Sequence, residues 1–94
     1  MREKEVEEYL VKKVKAAGGR AYKFVSPGND GVPDRIVMFP GGRIVFVEVK
    51  APGKKQTELQ QAQSAKIRAL GQEVIVIDSK DMVDTFILVE LSRM

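Results

Sequence analysis

Residues 34–50 read DRIVMF, PGG, RIVFVEVK, and this stretch decides the fold. Asp34–Phe39 and Arg43–Lys50 are rich in β-branched and aromatic residues, with turn chemistry at Pro40-Gly41-Gly42 between them. The segment therefore predicts a β-hairpin. The second strand is apolar on both faces as far as Glu48, which predicts a place in the interior of a sheet. Glu48 and Lys50 lie two residues apart and so project from one face. With a three-residue turn, Phe39 pairs with Arg43 and Asp34 falls opposite Glu48, on that same face. With a two-residue turn Asp34 moves to the other face and the cluster separates.

Outward from the hairpin, the flanking segments predict an α/β domain. Residues 3–17 carry Val6, Leu10, Val14 and Ala17 at helical spacing, with acids early, lysines late and Gly18-Gly19 as a stop. Residues 20–25 (RAYKFV) predict a short strand, and 26–33 (SPGNDGVP) a loop. After the loop at 51–55, Thr57 and Gln60 form a capping-box pair for a helix running to about Leu70 and stopped by Gly71. Residues 73–78 (EVIVID) predict a buried strand, joined to 43–50 by a helical, and hence parallel, crossover. Ser79 caps a last helix over roughly 80–91, whose Met82, Val83, Phe86, Ile87 and Leu91 are expected to pack inward. The order is αβββαβα, an α/β sandwich on a mixed sheet, in one domain spanning residues 1–94.

Composition narrows the chemistry. The chain has 94 residues and neither cysteine nor histidine. Disulfides, thiolate nucleophiles, thiolate or imidazole zinc sites and Ser-His or Cys-His relays are excluded. An enzyme built from this chain must use carboxylates, lysines, hydroxyls and backbone, and carboxylate oxygens suit Mg²⁺ or Mn²⁺. The net charge of +3 is uneven: residues 12–55 carry ten bases and only three acids, while the segments on either side are each −2. A basic segment enclosing isolated acids suits a polyanion, and a solvated basic surface is the plainer alternative. Charged residues fill the start of the chain and no apolar stretch reaches membrane-spanning length, so a soluble cytoplasmic protein is expected.

A carboxylate and an ammonium ending an apolar strand are expensive unless exposed, paired or functional. Joined by Asp34, Glu48 and Lys50 can hold a divalent cation, with help from the Val49 carbonyl, and stabilise charge on a phosphate under attack. An ordinary ion-paired cluster at a sheet end is the other reading.

Gly31-Val32-Pro33-Asp34, followed by Phe46-Val47-Glu48-Val49-Lys50-Ala51-Pro52-Gly53, resembles the PD-(D/E)XK nuclease motif. More narrowly, it resembles the VRR-Nuc branch (virus-type replication-repair nuclease). The similarity runs in order through an acid-bearing first helix, the Ser26-Pro27-Gly28 loop, the hairpin and Gln60. It implies an αβββαβ restriction-endonuclease-like core, here with an extra C-terminal helix, and metal-dependent phosphodiester hydrolysis by Asp34, Glu48 and Lys50. It also implies a glutamate from the first helix, carried over to Glu7, which shares a helical row with Leu10, Val11 and Val14 and reaches the metal directly or through water. Gln60 is the further polar residue expected near Lys50, unless it serves only the helix cap. Lys23, Ser26, Arg35, Lys54 and Lys55 are the expected DNA-backbone contacts. Tyr22 and Phe24 are either base-stacking or ordinary strand residues. The resemblance further implies a homodimer cutting branched DNA such as four-way junctions; on the last helix Phe86, Ile87 and Leu91 are one candidate interface and equally good core. A duplex-end or restriction-like nuclease and a non-cleaving DNA-binding module of the same fold are the alternatives.

Overall fold

The computed structural model describes residues 1–94. Its elements are α1 (Glu3–Ala16), β1 (Arg20–Lys23), β2 (Arg35–Phe39), β3 (Arg43–Val49), α2 (Glu58–Ala69), β4 (Val74–Ile77) and α3 (Lys80–Ser92). The four strands form one sheet in the order β1-β2-β3-β4, antiparallel except for the parallel β3–β4 pair. The predicted αβββαβα order and mixed sheet are therefore present, with β3 inside the sheet. The first strand is shorter than expected and ends at Lys23, although the Phe24 N–H still donates to the Asp34 carbonyl at 2.9 Å and extends the ladder by one step.

The hairpin register is the one the site requires. Phe39 pairs with Arg43 and Arg35 with Val47 across a three-residue turn. Continued by one residue, this register sets Asp34 opposite Glu48. Gly41 and Gly42 sit at φ 89° and 87°, a left-handed conformation that a side chain disfavours and glycine accepts.

Alternation splits β2 and β3 into two faces. Val37, Phe39, Val45, Val47 and Val49 join Ile77 and bury against Val6, Leu10 and Val14 of α1 and Val83 and Phe86 of α3. This is the main core, and Phe39 meets Phe86 edge-on with ring centroids 5.7 Å apart. The opposite face carries Ile36, Met38, Ile44, Phe46 and Glu48 and is covered unevenly. Helix α2 packs against β4 there and buries Ser64, whereas Tyr22, Met38 and Ile44 remain 54%, 40% and 39% exposed. Thr57 and Gln60 form the expected capping box, with both bonds present, and Ser79 caps α3.

The expected inward set on α3 is only partly right. Val83 and Phe86 are buried and Ile87 is half-buried, but Met82 and Leu91 are 42% and 44% exposed. α3 lies on a sheet face already shared with α1, so a narrow stripe of the helix suffices to close the core. No helix is long and apolar enough to cross a membrane.

Candidate active site

The site lies where β3 ends and β2 begins. β3 delivers Glu48 and then Lys50; the loop 26–34 delivers Asp34. That loop approaches α2 closely at Gly31 (φ 90°), where a β-carbon would come within 3.0 Å of Leu59. Pro33 is fully buried behind it. Asp34 is anchored by the Val49 N–H, which donates to Asp34 Oδ2 at 2.7 Å. The Asp34 side chain therefore lies against the strand that carries Glu48.

Glu48 is the anomalous residue. It is 1% exposed, its Oε1 is buried with no hydrogen-bond partner, and its nearest cation is Lys50, with Nζ 3.8 Å from Oε2. A buried carboxylate oxygen without a partner is costly. Loss of solvent pushes the Glu48 carboxyl up to about 7; the Asp34 charge beside it pushes the same way, Lys50 opposes, and Glu3 adds to the rise. Burial also raises Asp34, against the lowering effect of the Val49 N–H, and Glu7 adds to that rise. Lys50 and Lys23 pull Asp34 back down. Two crowded carboxylates held above their ordinary range favour any added positive charge.

The other expected residues fall into place unequally. Glu7 is half-buried, at 21% side-chain exposure, unlike Glu8 at 67%. Its carboxylate accepts from Arg35 Nε at 2.8 Å, and Arg35 also donates to the Ala21 carbonyl at 3.1 Å. Arg35 is thus engaged inside the protein rather than displayed for DNA; it reads as a cation in the sequence because its partner lies 28 residues away. No three acidic side chains converge as a ready-made metal cage. The arrangement is a carboxylate pair, with Glu7 at the rim. Gln60 spends its side-chain oxygen on the Thr57 N–H at 2.9 Å, the capping role. Ser26 accepts from Asn29 Nδ2 at 2.9 Å within the loop. Lys23, Lys54 and Lys55 are exposed, and Lys23 is close enough to lower Asp34.

Glu3 went unplaced in the sequence, yet its charge acts on Glu48. Its i,i+4 spacing from Glu7 was the available signal, since both then lie on one side of α1. The largest concavity, about 550 Å³ between β4 and α3, contains none of these residues. The chemistry sits instead at the strand ends, away from that cavity.

The donor set fits a divalent cation: an orphaned buried carboxylate oxygen, a second carboxylate alongside, and no soft ligand. No family model matches the chain. It is 55% identical over 82 residues to "Putative nuclease p44" of Acyrthosiphon pisum secondary endosymbiont phage 1, covering 87% of this chain and 88% of that one. A solved structure described as a VRR_NUC domain superposes with a TM-score of 0.84 at 34% identity, covering 90% of this chain and 92% of that one. A relative this similar in sequence and a structure this similar in fold agree with the strand-end carboxylates: the chain belongs to the VRR-Nuc family of nucleases.

Proposed function

We propose that the protein is a Mg²⁺- or Mn²⁺-dependent endodeoxyribonuclease that cuts branched DNA, four-way junctions among its substrates, as a homodimer. One observation carries the reading: Glu48 is buried with an unpartnered oxygen beside Asp34 and only one cation, Lys50, at hand. A structural cluster would be satisfied within the protein; this one is left short of positive charge.

Asp34 and Glu48 would hold the ion, with the Val49 carbonyl as a third oxygen and Glu7 reaching it through water. A divalent ion bound there polarises the scissile phosphate and lowers the pKa of a water molecule. Lys50, 13% exposed at the mouth of the pair, stabilises charge gathering on the phosphate oxygens or orients the attacking water. The Val49 N–H fixes the Asp34 carboxylate, and Arg35 fixes Glu7 at the rim. Lys23, Lys54 and Lys55 neutralise flanking phosphates, a contribution that weakens with salt. Gln60 contributes at the start of α2, where releasing its cap would free the amide for the substrate. Exposed Leu88, Val89 and Leu91 on α3 offer apolar surface for a second copy. A two-fold dimer presents two such sites to a symmetric junction.

A cleavage panel tests the reading: duplex, single strand, flap and four-way junction, each with Mg²⁺, Mn²⁺ or EDTA. Metal-dependent internal cuts, fastest on the branched substrates, are expected. Cuts confined to duplex ends would favour an end-directed enzyme. Inactivity on every substrate with both metals would favour a non-cleaving binding module, a role that gives the crowded Asp34–Glu48 pair no use.

A further inference from the structure

The two tyrosines of the chain have opposite surroundings. Tyr9 donates its hydroxyl to Asp84 at 2.7 Å, and the ammoniums of Lys13 and Lys80 lie 5.3 and 5.4 Å from its ring centroid. It ties α1 to α3. Tyr22 lies on edge strand β1, is 54% exposed, and its hydroxyl bonds nothing in the protein. It takes no part in the core.

Register places Tyr22 on the catalytic face. Tyr22 pairs with Ile36 and Ile36 with Phe46. One step further along the same face, the Phe24 N–H bonds the Asp34 carbonyl, and Asp34 stands opposite Glu48. One step the other way, Arg20 pairs with Met38 and Met38 with Ile44. Tyr22, Met38 and Ile44 thus form an uncovered apolar platform beside the site, because α2 covers the β4 side of this face. Exposed Arg20 shares the tyrosine's face, while exposed Lys23 leaves the strand on the other face and acts electrostatically on Asp34. β1 itself carries no acid. From Tyr22 to Glu48 is two strand spacings across and one two-residue step along, about 12 Å. Stacked nucleotides rise about 3.4 Å each, so this spans roughly three or four of them, fewer in an extended strand.

An exposed aromatic ring with a cation two residues away on the same face, on an apolar platform next to a phosphodiester-cutting site, matches the means by which proteins hold unpaired nucleotides. The ring stacks on a base and the cation meets an adjoining phosphate. We infer that Tyr22 is a base-stacking residue, and that the β1–β2 part of the sheet receives an unpaired nucleotide a few positions from the scissile phosphate. This deepens the proposed function, on which it rests for DNA as substrate, by naming one class of branch that the site takes: branches with an unpaired arm, such as a flap.

Binding is measured in EDTA, where no cleavage is involved, so the result is independent of the metal panel. The probes are a labelled single-stranded oligonucleotide and a blunt duplex of equal length. Tyr22→Leu keeps an apolar side chain of similar reach without the aromatic face, and should weaken single-strand binding roughly 5- to 100-fold while leaving duplex binding unchanged. Tyr22→Phe should bind like the parent. A single strand carrying 2-aminopurine supplies a readout on the unaltered protein, whose binding should quench the fluorescence by stacking. Equal single-strand affinity of Tyr22→Leu and parent, equal loss on both probes, or unchanged 2-aminopurine emission on binding overturns the inference. So does failure of the unaltered protein to bind the single strand. A change in sedimentation mass on Tyr22→Leu, without a change in DNA affinity, also overturns it and assigns the platform to a second copy.

Discussion

Strand β3 carries charge at both ends, and the two ends hold it in opposite ways. At its start, Arg43 donates through Nε to buried Glu90 at 2.6 Å and through Nη2 to Glu73 at 2.5 Å, and Arg93 approaches both acids at 3.7 and 3.9 Å. These bonds hold the Arg43 guanidinium charge above its ordinary range, the Glu90 bond foremost. At its finish, Glu48 is as buried as Glu90 but has one distant ammonium and an oxygen with no partner. The first end is a closed network that joins β3, the residue ahead of β4, and α3. The second is an open one. Glu48 and Glu90 match in burial and charge; partner count separates a clamp from a site.

The largest effect expected is on cleavage, and it should fall at one end only. Lys50→Ala or Asp34→Asn should lower the cleavage rate by about 10²–10³-fold or more while DNA binding survives, because each removes charge aimed at the reacting phosphate. Arg43→Ala should leave cleavage intact below its melting temperature. Undiminished cutting by either of the first two variants would sink the site assignment, and a comparable loss from Arg43→Ala would erase the distinction between the ends.

The second effect is on stability, and it depends on pH. The Glu48 carboxyl lies at 4.5 in its ordinary state and at about 7 in the folded, metal-free protein. The folded state therefore holds this proton more tightly than the unfolded chain. Below about 4.5 the group brings no penalty; as pH rises to about 7 folding loses up to roughly 3 kcal/mol, and the loss persists above. Glu48→Gln replaces the carboxylate with a neutral amide, so its advantage over the parent should grow from near zero at pH 4.5 to roughly 3 kcal/mol at pH 8. That corresponds to a melting shift of about 12–24 °C for a chain of this size. Mg²⁺ or Mn²⁺ should raise the parent's melting temperature at pH 8 and leave Glu48→Gln unmoved. Thermal melts across pH with and without metal check both; equal melting of the two proteins at pH 8 in EDTA would show Glu48 to be satisfied after all.

The clamp end should respond in the reverse sense. Arg43→Ala leaves Glu90, 2% exposed, with only Arg93 nearby, and should destabilise by about 2–3 kcal/mol, the low end for a broken buried pair because Arg43 is itself 29% exposed. Denaturant melts measure it. A neutral result would mean that Arg93 swings in to replace the lost guanidinium.

How far each end was legible in the sequence follows from the same contrast. Glu48 on β3 and Lys50 one residue past its end are two apart, and Asp34 is placed by a short hairpin, so local periodicity and turn length were enough. The Thr57–Gln60 capping box and the Ser79 cap are likewise local signals. Arg43 and Glu90 are 47 residues apart, and Arg35 and Glu7 28 apart. No period links such pairs; they meet only once α1 and α3 have docked on the sheet. For the same reason Arg35 read as a free cation, and Met82 and Leu91 read as core. Apolar residues reveal that a helix has a buried side, but the width of that side depends on the neighbour it meets.

The smallest effect concerns the turn that joins the comparison together, since its length decides whether Asp34 reaches Glu48. Gly41 and Gly42 adopt φ 89° and 87°, and no atom lies within 4 Å of a β-carbon added at either. Substitution there meets backbone strain without a clash, so Gly42→Ala should destabilise by about 1 kcal/mol. The three-residue count and the Phe39–Arg43 pairing survive that change, so cleavage per folded molecule should too. Deletion of Gly42 gives the control. If the shortened turn keeps three residues by drawing in Phe39 or Arg43, the register slips by one and carries Asp34 to the core face, away from Glu48 and Lys50; if it closes on Pro40-Gly41 alone, Phe39 stays opposite Arg43 and the site survives. If the deletion variant still cuts, a Pro40-Gly41 turn holds Phe39 opposite Arg43 and two residues serve as well as three; if it is folded and inactive, the register has slipped. If Gly42→Ala loses cleavage while remaining folded, rigidity of the turn matters as well as its length.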